Sequence, residues 1–231
     1  MFHDLPNLVG FKIFNSTLTR WNAAAGFSQT ESPRLTFVFL IAVNMTVLPE
    51  GMYNSADFPS ALMDIEICKS NLTTLPDDLD AHWPEGMFLL LESVAFAHLP
   101  SVLGRLRPSY LVLSMNGLDH VAVEILQNEA LVGFMLGGNP IATLPASLDG
   151  AVPSIKYLDL RGTQLSSLPA WINTADLYYA NAFGSPLCDV TGGGSGSESQ
   201  RLSDGAILCI GDESSSSFFY YPLDQEAILN P

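Results

Sequence analysis

The residues of this chain best suited to chemistry are few, and their spacing limits what they can do. Asp64 and Glu66 lie one residue apart, which places both carboxylates on one face of an extended strand. Paired carboxylates hydrolyse glycosidic bonds when a second carboxyl is held at a set distance across a cleft. Nothing in the sequence specifies that partner, so the pair reads as a solvated strand face. His98 and His120 recur at one position of two successive units defined below. A metal site would need cysteine, carboxylate or further histidine at ligand spacing, and surface imidazoles are the simpler account. Asp77, Asp78 and Asp80 lack the spacing of a calcium loop. They follow Leu75-Pro76, where acidic residues suit the start of a short helical turn. Gly137-Gly138-Asn139-Pro140 is a turn and not a phosphate loop, and no serine–histidine–acid or cysteine–histidine motif is present. The expectation is a non-catalytic protein with neither metal nor cofactor.

What positions these residues is a repeat. Leu131–Pro145 (LVGFMLGGNPIATLP) and Ile155–Pro169 (IKYLDLRGTQLSSLP) share large apolar residues at relative positions 1, 4, 6, 11 and 14, with proline at 15. Position 9 holds Asn139 and Thr163, small polar side chains able to bond the backbone as it leaves the strand. Units in this register start at residues 8, 35, 62, 86, 108, 131 and 155, with a weaker eighth at Leu177 whose core positions have shrunk to Ala180 and Ala182. Positions 4 and 6 straddle one residue, the period of a strand with one buried face. No unit can bury that face alone, so neighbours must stack.

The spacing and the stretches LMDIEICKSNLTTLP, LVGFMLGGNPIATLP and IKYLDLRGTQLSSLP resemble the leucine-rich repeat, and in particular extracellular plant and oomycete leucine-rich repeat proteins. The resemblance implies an α/β repeat solenoid, a horseshoe with a parallel concave sheet. It divides the chain into a stub at 1–7, a solenoid at 8–187, and a degenerate cap with a tail at 188–231. It also implies recognition of a protein or peptide ligand as part of a secreted or cell-surface receptor. ANAFGSPLC (Ala180–Cys188) resembles the last repeat leading into a cysteine cap of the oomycete proteins, which implies a Cys188–Cys209 disulfide. With three cysteines, at least one thiol is free, and Cys68 has no evident partner. Leu-Pro pairs closing units of about 23 residues also resemble intracellular Ras-binding-type scaffolds, the alternative reading, in which the thiols are reduced. An accessory or inhibitory subunit of an enzyme is a third possibility.

Composition bounds these readings. A net charge of −15 disfavours nucleic acid and anionic membrane surfaces. The longest apolar run, Leu35–Leu48, is too short to span a bilayer and falls in repeat register. Three Asn-x-Ser/Thr sequons, at Asn15, Asn44 and Asn71, point towards glycosylation outside the cell. The opening residues show neither the basic nor the apolar region of a secretory leader, and seven residues are few to cover the end of a solenoid, so the chain is expected to be part of something longer.

Outward positions of each strand tile the concave sheet. Position 3 gives Gly10, Phe37, Asp64, Phe88, Tyr110, Gly133 and Tyr157; position 5 includes Phe39, Leu90, Val112 and Met135. The predicted binding face is therefore Phe37, Phe39, Phe88, Leu90, Tyr110, Val112, Met135 and Tyr157, an exposed apolar patch of the kind that marks an interface. Beyond the units, Thr191–Gln200 is Gly/Ser-rich and expected to be flexible, the residues around Ile207 form a candidate strand returning to the array edge, and Phe218-Phe219-Tyr220-Tyr221 is expected to pack on the cap.

Overall fold

In the computed structural model, the described residues are 5–96, 98–189, 207–209, 211 and 221–223. The Gly/Ser-rich stretch, most of the four-aromatic run and Ala206 lie outside them.

Eight strands form one open, all-parallel sheet in sequence order: β1 (Gly10–Thr17), β2 (Phe37–Asn44), β3 (Asp64–Cys68), β4 (Phe88–Glu92), β5 (Tyr110–Val112), β6 (Gly133–Met135), β7 (Tyr157–Asp159) and β8 (Tyr179–Asn181). Each strand pairs with the next, the arrangement of a repeat solenoid. The pairing aligns Gly10, Phe37, Asp64, Phe88, Tyr110, Gly133, Tyr157 and Tyr179, the third residue of every unit. One row further on, Val38, Ile65, Leu89, Leu111, Phe134, Leu158 and Ala180 are buried in the core. The register follows from the side-chain period of two: a slip of one residue would turn the whole apolar row outwards.

The return segments contain single turns, not long helices. Three-residue 3-10 turns occupy Ala23–Ala25, Glu50–Met52, Leu79–Ala81 and Thr174–Asp176, and α1 (Val123–Leu126) and α2 (Pro186–Asp189) are one turn each. No helix of the described residues is long and apolar enough to cross a membrane.

Position 9 carries an internal polar ladder. Asn139, fully buried, accepts at Oδ1 from the N–H groups of Asn116 and Leu118 at 2.9 and 3.0 Å. Its Nδ2 donates to the carbonyls of Leu113 and Leu136 at 2.8 and 2.7 Å. Asn116 repeats this one coil earlier, accepting from Val94 N–H and donating to the carbonyls of Leu91 and Leu113. Thr163 and Ser185 each donate only to the carbonyl three residues back. The asparagines thus stitch three coils together, whereas Thr163 and Ser185 close only their own turn and Ser70 makes a single long hydroxyl bond, 3.4 Å to the Met45 carbonyl, across to the preceding coil.

Position 8, inside β1 and β2 and just past each of the other six strands, is left-handed in all eight units. Asn15, Ala42, Lys69, Ser93, Met115, Gly138, Gly162 and Gly184 have φ between 46° and 72°. From β3 onwards this bend turns the chain off the sheet, while β1 and β2 resume pairing past it, Ser16 with Val43 and Thr17 with Asn44. Five of the eight residues adopt it despite a Cβ that disfavours it. At Gly162 an added Cβ would find its nearest neighbours 3.8 Å away, in the Gly138 backbone. Strain alone would act there, so we expect Gly162→Ala to lower stability by about 1 kcal/mol, read as a shifted urea midpoint with an unchanged slope.

Beyond β8, Leu208 bridges to Asn181 in parallel, with hydrogen bonds from Leu208 N–H to Ala180 and from Ala182 N–H to Leu208. The Cys188–Cys209 disulfide lies beside this contact, and Cys68 is free and buried.

Candidate functional site

The core face of the sheet is filled by the repeat leucines, so any site on the sheet lies on its other face. That face carries a second, separate apolar cluster: Ile41, Cys68, Leu90, Val112, Met135 and Tyr221, flanked by Phe14, Phe39, Phe88, Tyr110, Tyr157, Tyr179 and Leu223. Strand alternation puts all of these side chains there except Tyr221 and Leu223, because they occupy positions 3, 5 and 7 between the core residues at 4 and 6; Tyr221 and Leu223 come from beyond the repeats.

Position 3 forms an aromatic row. Phe88 stacks on Tyr110 at 5.9 Å and Tyr110 lies 5.8 Å from Tyr157, which also meets Tyr178, at position 2 of the next unit, edge-on at 6.1 Å. The row is continuous because Gly133 intervenes between the two tyrosines: a Cβ there would come within 2.2 Å of the Tyr110 ring. On β2, Phe37 and Phe39 pack at 4.9 Å.

The predicted face residues separate into two groups. Phe37, Phe39, Phe88, Tyr110 and Tyr157 are half-buried, whereas Leu90, Val112 and Met135 are only 2%, 0% and 0% exposed. The expectation of an exposed patch is corrected for this second group, which is buried; Tyr221, from the far end of the chain, belongs to the same cluster, and Leu223 packs against that cluster. Tyr221 is therefore not on the cap, where the aromatic run was expected. Its N–H donates to Glu92 Oε2 at 3.1 Å, its ring meets Phe39 edge-on at 6.2 Å, and Lys12 Nζ sits 5.7 Å from the ring centroid.

Acidic groups surround this contact. Asp64 and Glu66 on β3 and Glu92 on β4 share the face with Lys12 on β1 and with Lys69, which follows β3. Burial pushes the Asp64 carboxyl up to about 6. Burial, with the charges of Asp64 and Glu92, pushes Glu66 up to about 8 against the pull of Lys12. Burial raises Glu92 to about 7, opposed by the Tyr221 N–H and by Lys69. The Cys68 thiol is pushed up to about 12, by burial first and then by the Glu92 charge, so this buried thiol of the outer-face cluster is held protonated and poorly reactive. Further along the face, Asp159 is fully buried and paired two-pronged with Arg161, Nε to Oδ1 at 2.8 Å and Nη2 to Oδ2 at 2.9 Å.

The remaining chemical candidates disperse. Among the described residues no group of three or more His, Cys, Asp or Glu side chains is placed to hold a metal. His120 is exposed and bonded to its neighbour Asp119, and His98 is also exposed. Asp80 pairs with Arg105 at 3.1 Å, and Asp78 lies 3.4 Å from His82. Asn15, Asn44 and Asn71 are all exposed. Asn71 Oδ1 accepts from Met45 N–H at 2.7 Å; a glycan attached through Nδ2 would leave that bond intact.

Ile41, Cys68 and Glu92, all at position 7, are expected on the concave sheet by strand alternation but fall outside the predicted binding set; the structure aligns them in register beside that set. Tyr221 was legible only as an aromatic out of place. No protein-family model and no curated protein sequence matches the chain. The geometry alone must carry the reading.

Proposed function

We propose that the chain is a leucine-rich repeat horseshoe whose concave sheet face binds an extended protein or peptide segment without catalysis, as part of a secreted or cell-surface recognition protein. The observation that carries this is the apolar and aromatic outer face spanning β2 to β7, separate from the core and rimmed by acidic residues. Solenoids present such faces to ligands, and aromatic residues and methionine are enriched at the centres of interfaces. A cleft of about 850 Å³ beyond the C-terminal ends of β1 and β2 is the weaker candidate, because Asn44 forms part of its wall and a glycan there would crowd it.

Support for the compartment comes from the Cys188–Cys209 bond and the exposure of all three sequons. Expressed in a secretory eukaryotic host, the protein should lose mass with glycosidase and gain 2 hydrogens on reduction. Bare sequons with three free thiols would move the reading to the intracellular scaffold.

The face itself is tested by panning a random peptide library against the folded protein. Tyr110→Asp and Tyr157→Asp, at half-buried positions that tolerate change better than Leu90, should weaken the selected binders about 100-fold or more, the scale of interface anchors. Binders indifferent to both substitutions would remove the concave face from consideration.

A further inference from the structure

Tyr221, Pro222 and Leu223 behave as an occupant of the outer face. Tyr221 is 9% exposed and belongs to the same cluster as Ile41, Cys68, Leu90, Val112 and Met135. Its contacts come from three strands: Lys12 of β1, Phe39 of β2 and Glu92 of β4. Leu223 N–H donates back to the Tyr221 carbonyl at 2.8 Å, closing a three-residue turn around Pro222. The segment therefore presents an aromatic ring, a proline-fixed turn and an aliphatic side chain, and it anchors one backbone N–H on a buried carboxyl. These are the elements by which peptide-binding grooves recognise ligands: a main-chain hydrogen bond, and pockets for spaced side chains.

Nothing in the repeat requires this contact. Positions 4 and 6 fill the core without it, and the eight strands pair without it. It has the character of a ligand tethered to its own receptor, and a tether supplies an effective concentration in the millimolar range.

We propose that Tyr221–Leu223 is a displaceable resident ligand of the outer face, and that the partner of this protein is an extended segment carrying an aromatic–proline–aliphatic turn that takes its place. This rests on the reading of that face as the binding surface. It adds what the face recognises and what keeps it closed. Tyr221's ring fits between Phe39 and Lys12 as an aromatic of the partner would, and Glu92 is the acceptor that selects a free backbone N–H immediately before proline.

The test uses the full-length chain and a fluorescent peptide of residues 218–225 (FFYYPLDQ) as probe. Wild type is compared with a double variant, Tyr221→Asp and Leu223→Asp, whose own segment should no longer seat in an apolar site. The variant is expected to bind the probe at least 10-fold more tightly than wild type. A probe with aspartate at the tyrosine preceding proline should lose binding, and Phe39→Ala in the variant background should weaken it at least 5-fold. Equal binding by wild type and variant overturns the proposal, as does no binding by either while both keep the wild-type circular dichroism and the Cys188–Cys209 bond. A variant that fails to fold also overturns it, since a segment the fold cannot do without is not displaceable. Failure here is distinguishable from failure of the broader reading. Panned ligands that respond to Tyr110→Asp and Tyr157→Asp but bind wild type and the double variant alike would sink the resident ligand and leave the face.

Discussion

Replacing Asn139 by leucine should cost about 4 kcal/mol and lower Tm by about 10 °C. The side chain is fully buried and makes four hydrogen bonds to the backbone of two successive coils. Leucine fills a similar volume, so the loss would come from stranding the N–H groups of Asn116 and Leu118 and the carbonyl of Leu136 away from water. A buried group left without its partner costs about 1–3 kcal/mol, more than the net gain from forming the bond. The equivalent residue one coil later gives the internal comparison. Thr163 donates one bond to Leu160, and Thr163→Val should cost only about 1 kcal/mol. Thermal and urea unfolding of both variants measures the difference; similar costs would mean that the ladder does not link coils.

The second large effect is on pH. Asp64, Glu66 and Glu92 hold their protons more tightly in the folded chain than in the unfolded one, at about 6, 8 and 7 against ordinary values of 3.8 and 4.5. Groups shifted upwards contribute stability that is fully present below their ordinary values and is lost as pH rises through the folded ones. The protein should therefore be most stable near pH 4 and lose about 4 kcal/mol by pH 8, with Tm falling by about 10 °C. Lys12 and Lys69 temper this loss but do not reverse it. Glu66→Gln combined with Glu92→Gln should flatten the curve, while Glu124→Gln, at an exposed site on α1, should leave it unchanged. A Tm that rises between pH 5 and 8 would contradict the burial of these carboxyls.

Much of the architecture was legible because it rests on a repeated local rule. Leu-Pro pairs and apolar residues at positions 4 and 6 gave the phase, and the third residues of the units, Gly10 to Tyr179, are the residues that pair. The shrinkage to Ala180 and Ala182 marked the last strand. The left-handed position was not legible, because Asn, Ala, Lys, Ser, Met and Gly occupy it and share no chemical property. There the coil geometry overrides residue preference. The closed state of the outer face was not legible either. Alternation places Leu90 and Met135 outwards, but they are buried in a cluster that includes Tyr221, whose N–H reaches Glu92 across 129 residues of sequence, a contact that no local pattern encodes.

That contact also bears on how the molecule comes apart. In a stack where each coil touches only its neighbours, the end coils fray first and stability declines outwards from the middle. Tyr221 lies against Lys12 of the first strand and Phe39 of the second while belonging to the last part of the chain. Loss of the first coil would thus dislodge the segment, and release of the segment would leave β1 with its neighbour β2 alone. The two ends become energetically one unit, and a graded, zipper-like array acquires the cooperativity of a closed ring. Amide exchange should report this directly: in wild type, β1 should open with the same free energy as β4, and on release of the segment its protection should fall towards that of a frayed end.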